Sequence, residues 1–294
     1  MAATHTSTFT IRFYECDAFE HLNHANYVRL MQEAAFDASA AVGFSKATYE
    51  AMGYLWLARE TEIEYLQPCF YGDTLEVKTW VADFRQVRSI RMYEFRKAGS
   101  PDVVARGSTD WVYLERESGR ISPIPPEMVA AFSGGDPVEK LPRPPFPKAP
   151  PAPEGVYKLR KRVEWRDIDS AQHLNNAAYL NYIEDCSIQA GRHYRWPVER
   201  IRQEQVGIYA RRHRIAYHQP ALLDDEVEIS TWLFDIRRFS GTRHFDLHRV
   251  SDGALLAQVQ TYWIWVDLKT GRPMRPPEHY IADFGPNIAA EQEA

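Results

Sequence analysis

The chain has 294 residues, a hydrophobic fraction of 45% and a formal net charge of −5. This composition is typical of a globular protein with a buried core, and the negative charge argues against nucleic acid as the main partner. We expect no membrane contact, because no run approaches the roughly 18 apolar residues of a membrane helix and no secretory signal is visible. Three scattered cysteines, Cys16, Cys69 and Cys186, form no disulfide framework, which favours a cytoplasmic location.

The first half of the sequence predicts one strand, one long helix and then four strands. Residues 8–15 alternate apolar and polar side chains, as a strand does, whereas Tyr27–Val42 follow helical spacing. The later strands are predicted at 54–66, 73–84, 88–97 and 102–115. A long helix followed by an antiparallel sheet is an α+β layout, in which we expect the sheet to curl around the helix.

The second half repeats the first at a constant offset of 152 positions. Matched pairs include Arg59 and Arg211, Tyr65 and Tyr217, Asp73 and Asp225, and Trp111 and Trp263. The second copy is predicted to hold a helix at 178–191 and strands at 206–218, 225–236, 241–250 and 254–267. The chain is therefore predicted to contain two copies of one domain of roughly 140 residues, an ordinary domain size.

Residues 133–156 separate the two copies and hold eight of the 19 prolines. Such a stretch favours an extended, semi-rigid backbone and acts as a tether, and a proline-rich recognition peptide is the alternative. We expect an N-terminal domain at 1–132, a linker at 133–156 and a C-terminal domain at 157–294.

Each copy carries an acid, a histidine and an asparagine just ahead of its helix. These residues are Asp17, His21 and Asn23 in the first copy and Asp169, His173 and Asn175 in the second. The ordinary explanation for the asparagines is helix capping, and the histidines could bond to loop carbonyls. A metal site at Asp17, His21 and His24 is disfavoured, because Asn176 occupies the third position in the second copy.

Two sequence segments in each copy resemble a known family. Residues 15–17 (Glu-Cys-Asp) and 24–27 (His-Ala-Asn-Tyr) resemble bacterial short-chain acyl-CoA thioesterases of the 4-hydroxybenzoyl-CoA type, which have the hotdog fold. Residues 165–169 and 172–176 are similar to plant acyl-ACP thioesterases, which are tandem hotdogs. The resemblance spans both halves without the linker and implies two hotdog domains, paired within one chain as a pseudo-dimer.

The resemblance also implies thioester hydrolysis and assigns roles to residues. Asp17 and Asp169 match the family's catalytic aspartate, which acts as nucleophile or general base. A backbone N–H at the helix start, that of His24 or Asn176, polarises the thioester carbonyl. His21 and His173 match a histidine of the plant enzymes, and Asn23 and Asn175 are candidates for the same site. The chain departs from the plant pattern at Phe19 and Ala171, where those enzymes have an asparagine.

The chemistry is consistent with these assignments. A carboxylate can attack the carbonyl or activate water, and N–H groups at a helix N-terminus can hold the developing oxyanion with help from the helix dipole. The thiolate leaves readily, so we expect neither a metal nor a cofactor.

Six arginines are candidates for contact with the phosphates of coenzyme A, because arginine suits bidentate phosphate binding. They are Arg85, Arg88, Arg91, Arg237, Arg238 and Arg243. A solvated strand face is the alternative explanation. Their presence favours coenzyme A over a protein-bound acyl group.

The copies also differ in charge along one predicted strand. Glu60 and Glu62 in the first copy correspond to Arg212 and Arg214 in the second. We hypothesise that this opposition favours pairing of the two halves within one chain, with an exposed salt-bridge pattern as the alternative.

Together these patterns predict an acyl-CoA thioesterase. The alternatives are a non-catalytic acyl-CoA or ligand-binding hotdog protein and an acyl-ACP thioesterase. The expected partner is an acyl-CoA substrate, with no nucleic acid and no membrane, and further homo-oligomerisation is left open. The acyl group is not predicted.

Overall fold

The computed structural model describes residues 3–135 and 140–290. Within these ranges the residues up to Pro145 form one compact unit and those from Phe146 onward form another. None of the helices in the described ranges combines the length and the apolar character that crossing a bilayer requires.

The first unit combines one long helix with an antiparallel sheet. Between residues 3 and 135 its helices are α1 (His24–Ala41), α2 (Lys46–Met52) and α3 (Pro126–Ser133). Its strands are β1 (Thr4–Thr10), β2 (Tyr54–Tyr65), β3 (Thr74–Phe84), β4 (Arg88–Lys97) and β5 (Val103–Glu115). They lie in the order β1-β3-β4-β5-β2, and every neighbouring pair is antiparallel.

The second unit repeats this plan. Between residues 146 and 290 its helices are α4 (Ala178–His193), α5 (Val198–Gln203) and α6 (Glu278–Phe284). Its strands are β6 (Tyr157–Arg162), β7 (Val206–Tyr217), β8 (Glu226–Phe234), β9 (Ser240–Arg249) and β10 (Leu255–Asp267). They lie in the antiparallel order β7-β10-β9-β8-β6. The predicted α+β layout is confirmed in both units.

The long helix of the first unit forms the centre of its core. The helix packs on β1 and β3 and buries the side chains that the sequence spaced at helical intervals, including Tyr27, Met31 and Ala34. β5 has a glycine where the helix passes, since a Cβ on Gly107 would lie 2.8 Å from the Met31 sulfur. The missing side chain allows this close approach of helix and sheet.

The first predicted strand is too long at its C-terminal end. β1 ends at Thr10, and Phe13–Glu15 form a short 3-10 helix instead of continuing the strand. The Glu15 carboxylate accepts the Arg12 N–H at 2.7 Å, which closes the turn. Phe13 is 79% exposed, so the apolar alternation at this point does not mark a buried face.

The predicted linker lies partly outside the described residues, at 136–139. Residues 140–156 contain no helix or strand. The start of this segment is nevertheless fixed within the first unit, because the Leu141 N–H donates to Asp83 Oδ2 at 2.7 Å and Arg143 Nη2 donates to Asp83 Oδ1 at 2.9 Å.

Candidate active site

Asp17 lies in a tight loop between the short 3-10 helix and α1. Its N–H donates to the His21 carbonyl at 2.8 Å, and its own carbonyl accepts the Glu20 N–H at 3.0 Å. Glu20 adopts a left-handed conformation with φ of 66°, which allows the loop to reverse direction. The loop therefore fixes the backbone on both sides of Asp17.

The same loop orients the Asp17 side chain. Oδ1 accepts the N–H of Phe19 at 2.8 Å and that of His21 at 3.2 Å. An aspartate that bonds to N–H groups two and four residues ahead is restrained by local backbone geometry. Phe19, where the plant pattern has an asparagine, contributes through its backbone.

The second copy reproduces this loop. The Asp169 N–H donates to the His173 carbonyl at 3.0 Å, and Asp169 Oδ1 accepts the Ala171 N–H at 2.8 Å. Gln172 is left-handed with φ of 65°, at the position equivalent to Glu20. The structure thus gives both predicted aspartates the same backbone setting.

The asparagines of the motif cap the helices. Asn23 Oδ1 accepts the Ala25 N–H at 3.0 Å, and Asn175 Oδ1 accepts the Ala177 N–H at 3.0 Å. Asn175 has a second role, because its Nδ2 donates to Asp169 Oδ2 at 3.2 Å. In the second copy capping and orientation of the aspartate are therefore combined in one side chain.

The two helices begin differently relative to the motif. α1 starts at His24, directly after its cap, so the predicted carbonyl-polarising residue is the first of the helix. α4 starts at Ala178, which places Asn176 in the turn before the helix instead of at its start. The cause is a tight first turn, since the Ala177 carbonyl accepts the Leu180 N–H at 3.0 Å. α4 thus begins two residues after Asn176, and the role of the Asn176 N–H stays a prediction.

The histidines of the motif lie close to the aspartates. Burial lowers the pKa of His24 to about 4, against the opposing charge of Asp17 and with a smaller lowering effect from His21. Burial also lowers the pKa of His173, again opposed by its aspartate. The rings of His21 and Phe70 meet edge to face at 5.3 Å. His24 is therefore neutral at pH 7.

A pair of tyrosines that the motif did not include supports the helix starts. Tyr65 Oη donates to the His24 carbonyl at 3.4 Å, and Tyr217 Oη donates to the Asn176 carbonyl at 3.1 Å. The two tyrosines occupy equivalent positions in the repeat. The repeat was thus the signal that could have identified them as part of the site.

Asn26 is a second residue that the motif analysis did not assign. It is buried, and its Nδ2 donates to the Glu15 carbonyl at 2.7 Å. This bond ties α1 to the short 3-10 helix that precedes the Asp17 loop. In the second copy Ala178 replaces it, and Tyr182 Oη donates instead to Asp167 Oδ2 at 2.9 Å.

Arg85 and Arg88 belong to an ion network in the first unit. The fully buried Asp83 carboxylate accepts from Arg143 Nη2 at 2.9 Å and lies 3.6 Å from Arg85 Nε. Asp110 bonds Arg88 and accepts from Arg143 Nη1 at 2.7 Å. Both arginines already face carboxylates, which reduces the positive potential they offer to a phosphate.

Arg237 and Arg238 lie at the surface of the second unit. Arg237 is paired with Asp235 at 2.9 Å, and the Arg238 guanidinium lies 4.8 Å from the centre of the Phe239 ring. Their exposure is compatible with contact to CoA phosphates, which stays a prediction.

Arg91 and Arg243 are buried, each with only 5% of its surface exposed. Arg91 shares the inward face of β4 with Tyr93 and Phe95, which are also buried. A phosphate in solvent does not reach this face. The burial corrects the expectation of a surface patch for these two positions.

Comparison with known proteins assigns the family. The model of the thioesterase-like superfamily matches residues 11–132 and again residues 163–284. These two matches cover most of the sequence, and the chain belongs to the thioesterase-like superfamily.

Curated relatives are similar over part of their length. A palmitoyl-acyl carrier protein thioesterase of Cuphea hookeriana is 24% identical over 185 residues, covering 60% of this chain and 45% of that protein. An oleoyl-acyl carrier protein thioesterase of Arabidopsis thaliana is 23% identical over 193 residues, covering 60% and 52%. The acyl-CoA thioester hydrolase YbgC of Escherichia coli O6:H1 is 26% identical over 131 residues, covering 44% and 96%. The chain thus spans about half the length of the plant relatives it matches.

Solved structures show the fold. An oleoyl thioesterase from Lactobacillus plantarum superimposes with a TM-score of 0.77 at 19% identity, over 94% of this chain and 98% of that one. The 12:0-ACP thioesterase from Umbellularia californica gives a TM-score of 0.69 at 19% identity, over 90% and 95%. The predicted tandem hotdog fold is confirmed.

Proposed function

We propose that the chain hydrolyses acyl thioesters, with acyl-CoA as substrate, and releases a carboxylic acid and free CoA. The observation that carries the proposal is the paired loop geometry. Each copy holds an aspartate carboxylate by loop N–H groups directly ahead of the N-terminus of its long helix. Membership of the superfamily supports thioester chemistry.

In the proposed reaction Asp17 acts as nucleophile or as the base that takes a proton from water. A new C–O bond forms at the thioester carbonyl, and negative charge develops on its oxygen. Collapse of this intermediate breaks the C–S bond, and the thiolate leaves and takes up a proton. Where Asp17 is the nucleophile, water then hydrolyses the anhydride and regenerates the carboxylate.

The developing oxyanion is assigned to the start of α1. The His24 N–H lies at the positive end of the helix dipole, where anions are stabilised. Because the pKa of the His24 side chain is about 4, its imidazole is uncharged at pH 7 and the assigned stabilisation comes from the backbone. In the second copy Asp169 and the N–H of Asn176 take these roles.

Two alternatives follow from specific observations. The named plant relatives act on acyl carrier protein thioesters, so the same acyl group carried by that protein is the competing substrate. A ligand-binding protein that does not hydrolyse its thioester is the other alternative. The same loop geometry around the aspartate in both copies favours an enzyme over this alternative.

The test is free-thiol release by the purified chain from matched acyl-CoA and acyl-ACP thioesters with short, long, branched and aromatic acyl groups. Turnover of one acyl-CoA class above the rest of the panel supports the proposal. Turnover of acyl-ACP alone would identify the acyl-ACP thioester, and not acyl-CoA, as the substrate. Binding of acyl-CoA without any thiol release contradicts hydrolysis and supports the ligand-binding alternative.

A further inference from the structure

The peptide group that follows His24 is held at both of its ends. Its carbonyl accepts the Tyr65 hydroxyl at 3.4 Å, and its N–H, which is that of Ala25, donates to Asn23 Oδ1 at 3.0 Å. The peptide group before His24 is held at its carbonyl, because the Asn23 carbonyl accepts the Asn26 N–H at 3.0 Å. These three bonds, called the peptide clamp below, fix the backbone on either side of the His24 N–H.

The second copy has the same peptide clamp. The Asn176 carbonyl accepts the Tyr217 hydroxyl at 3.1 Å. The Ala177 N–H donates to Asn175 Oδ1 at 3.0 Å, and the Asn175 carbonyl accepts the Ala178 N–H at 2.9 Å. Each bond joins residues that occupy equivalent positions in the repeat, so the arrangement around the Asn176 N–H matches that around its counterpart.

The clamp keeps its position although the start of the helix does not. α1 begins at His24, whereas α4 begins at Ala178, two residues later in the repeat. The clamped peptide therefore lies inside a regular helix in the first copy and in the turn before the helix in the second. A restraint common to both settings comes from the tyrosine and asparagine side chains. Because the second helix starts later and the Tyr217 bond is the shorter, the second copy depends more on its tyrosine.

The tyrosine of each clamp is itself held in place by the sheet and the helix. Tyr65 is the last residue of β2, and Tyr217 is the last residue of β7. The Tyr65 ring meets the Tyr27 ring edge to face at 5.1 Å, and the Tyr217 ring meets the Tyr179 ring edge to face at 5.3 Å. Edge-to-face contact is a favoured geometry for aromatic pairs. Packing thus places each hydroxyl at the first turn of the motif.

We propose that Tyr65 and Tyr217 are positioning residues for thioester hydrolysis. Each holds the N–H assigned to the oxyanion, that of His24 or of Asn176, in a fixed direction through the clamp. This inference rests on the proposed thioesterase function and adds two residues to its site. An N–H that already points at the developing oxyanion stabilises its charge without reorganising during the reaction. Loss of the tyrosine hydroxyl should therefore slow the chemical step and leave substrate binding unchanged.

The test measures each tyrosine with the aspartate of the other copy removed, because two sites could turn over substrate. Tyr65→Phe is combined with Asp169→Asn, and Tyr217→Phe with Asp17→Asn, and each is compared with the aspartate variant alone. We expect kcat on the best acyl-CoA to fall by about tenfold or more, less than the roughly 100- to 1000-fold cost of losing an oxyanion donor, with KM within about twofold. The fall should be larger for Tyr217→Phe, and either copy decides the test if the other variant does not fold.

Tyrosines near the opposite ends of the same two helices are the matched controls. Tyr49 Oη lies 2.9 Å from Ser39 Oγ in α1, and Tyr194 Oη donates to the Gly155 carbonyl just after α4. Tyr49→Phe and Tyr194→Phe each remove one hydroxyl bond and should lower the unfolding free energy without changing kcat. An equal fall in kcat in the controls would show a structural role alone and overturn the inference.

Amide hydrogen exchange, resolved by residue with NMR, tests the clamp without turnover. The Ala25 N–H should exchange faster in Tyr65→Phe and the Ala177 N–H faster in Tyr217→Phe, with wild-type rates in the controls. Faster exchange in a chain that releases thiol from no ester would support the clamp and overturn the proposed function alone. Unchanged kcat in both folded tyrosine variants, on a substrate that the wild type cleaves, would overturn the inference and leave thioester hydrolysis standing.

Discussion

The two candidate aspartates share a backbone setting. Asp17 Oδ1 accepts the N–H groups of Phe19 and His21, and Asp169 is held through Oδ1 by a backbone N–H and through Oδ2 by Asn175. The helix starts that follow them differ, since α1 begins directly after its cap and α4 begins two residues later relative to the motif. We therefore expect the two sites to differ in activity while both keep an oriented acid.

His24 predicts a pH dependence of stability. The pKa of His24 is about 4 in the folded chain, whereas the ordinary pKa of a histidine side chain is 6.5. Between these values the unfolded chain binds a proton that the folded chain does not, so stability falls as the pH is lowered through this window. His24→Gln should remove this contribution, which amounts to about 2 kcal/mol by pH 5.

Urea unfolding at pH 7.5 and pH 5 measures the effect. The variant should lose less unfolding free energy than the wild type between the two conditions. His173→Gln serves as the comparison, because burial lowers its pKa in the same direction. An equal loss in wild type and His24→Gln would show that the imidazole does not titrate as described.

Much of this site could be predicted at the residue level, because the repeat aligned Asp17, His21 and Asn23 with their partners. The sequence could not separate a capping asparagine from a catalytic one, since both roles need the same side chain ahead of a helix. It also could not show that Arg91 points inward, because an arginine in a strand is normally expected on the solvent face. Its burial is seen only in the folded structure, where 5% of its surface is exposed.

At the scale of elements, the Asn23 cap should stabilise α1. Asn23→Ala removes the acceptor for the Ala25 N–H and should lower the unfolding free energy by about 1 kcal/mol. Asn23→Asp and Asn23→Ser keep an acceptor and should retain most of the stability. Chemical denaturation at pH 7 measures the three variants, and equal stability of Asn23→Ala and Asn23→Ser would exclude a capping role.

The strands were predictable because their side chains alternate between core and solvent. Each strand predicted after the first helix of its copy begins and ends within two residues of the observed one. The start of α1 was placed at Tyr27, three residues late, because the buried periodicity begins after the first turn. The short helices α2, α3, α5 and α6 were not predicted, since so few residues show little periodicity.

At the scale of the whole molecule, the C-terminal end of the first unit is anchored by buried charge. Arg143 bonds both Asp83 and Asp110, and the Asp83 carboxylate is fully buried. Arg143→Ala leaves that carboxylate without its main partner and should cost about 3 kcal/mol or more in unfolding free energy. The effect should be measured by denaturant unfolding of the full chain.

The second copy offers a matched control for this anchor. Asp235 stands at the position equivalent to Asp83 and pairs at the surface with Arg237. Asp235→Asn should change stability by no more than about 0.5 kcal/mol, as exposed pairs do. Comparable losses from Asp235→Asn and Arg143→Ala would contradict the distinction between buried and exposed pairs.

The repeat itself was the strongest whole-molecule signal, because an offset of 152 positions is maintained from Asp17 and Asp169 to Trp111 and Trp263. It predicted the tandem fold directly. Pairing of the copies through the Glu60 and Arg212 strands, and the bounds 1–132, 133–156 and 157–294, remain predictions. Side-chain charge alone does not fix how two domains associate.

The most direct measurement is thiol release by Asp17→Asn, Asp169→Asn and the double variant on the acyl-CoA that the wild type cleaves best. Asp102→Asn, in an exposed turn, is the control for the substitution itself. We expect each single variant to keep only the turnover of the other site and the double variant to lose about 100-fold or more of the wild-type rate, as expected when a positioned acid–base or nucleophilic group is removed. Wild-type turnover in the folded double variant would contradict the assignment of the aspartates to catalysis.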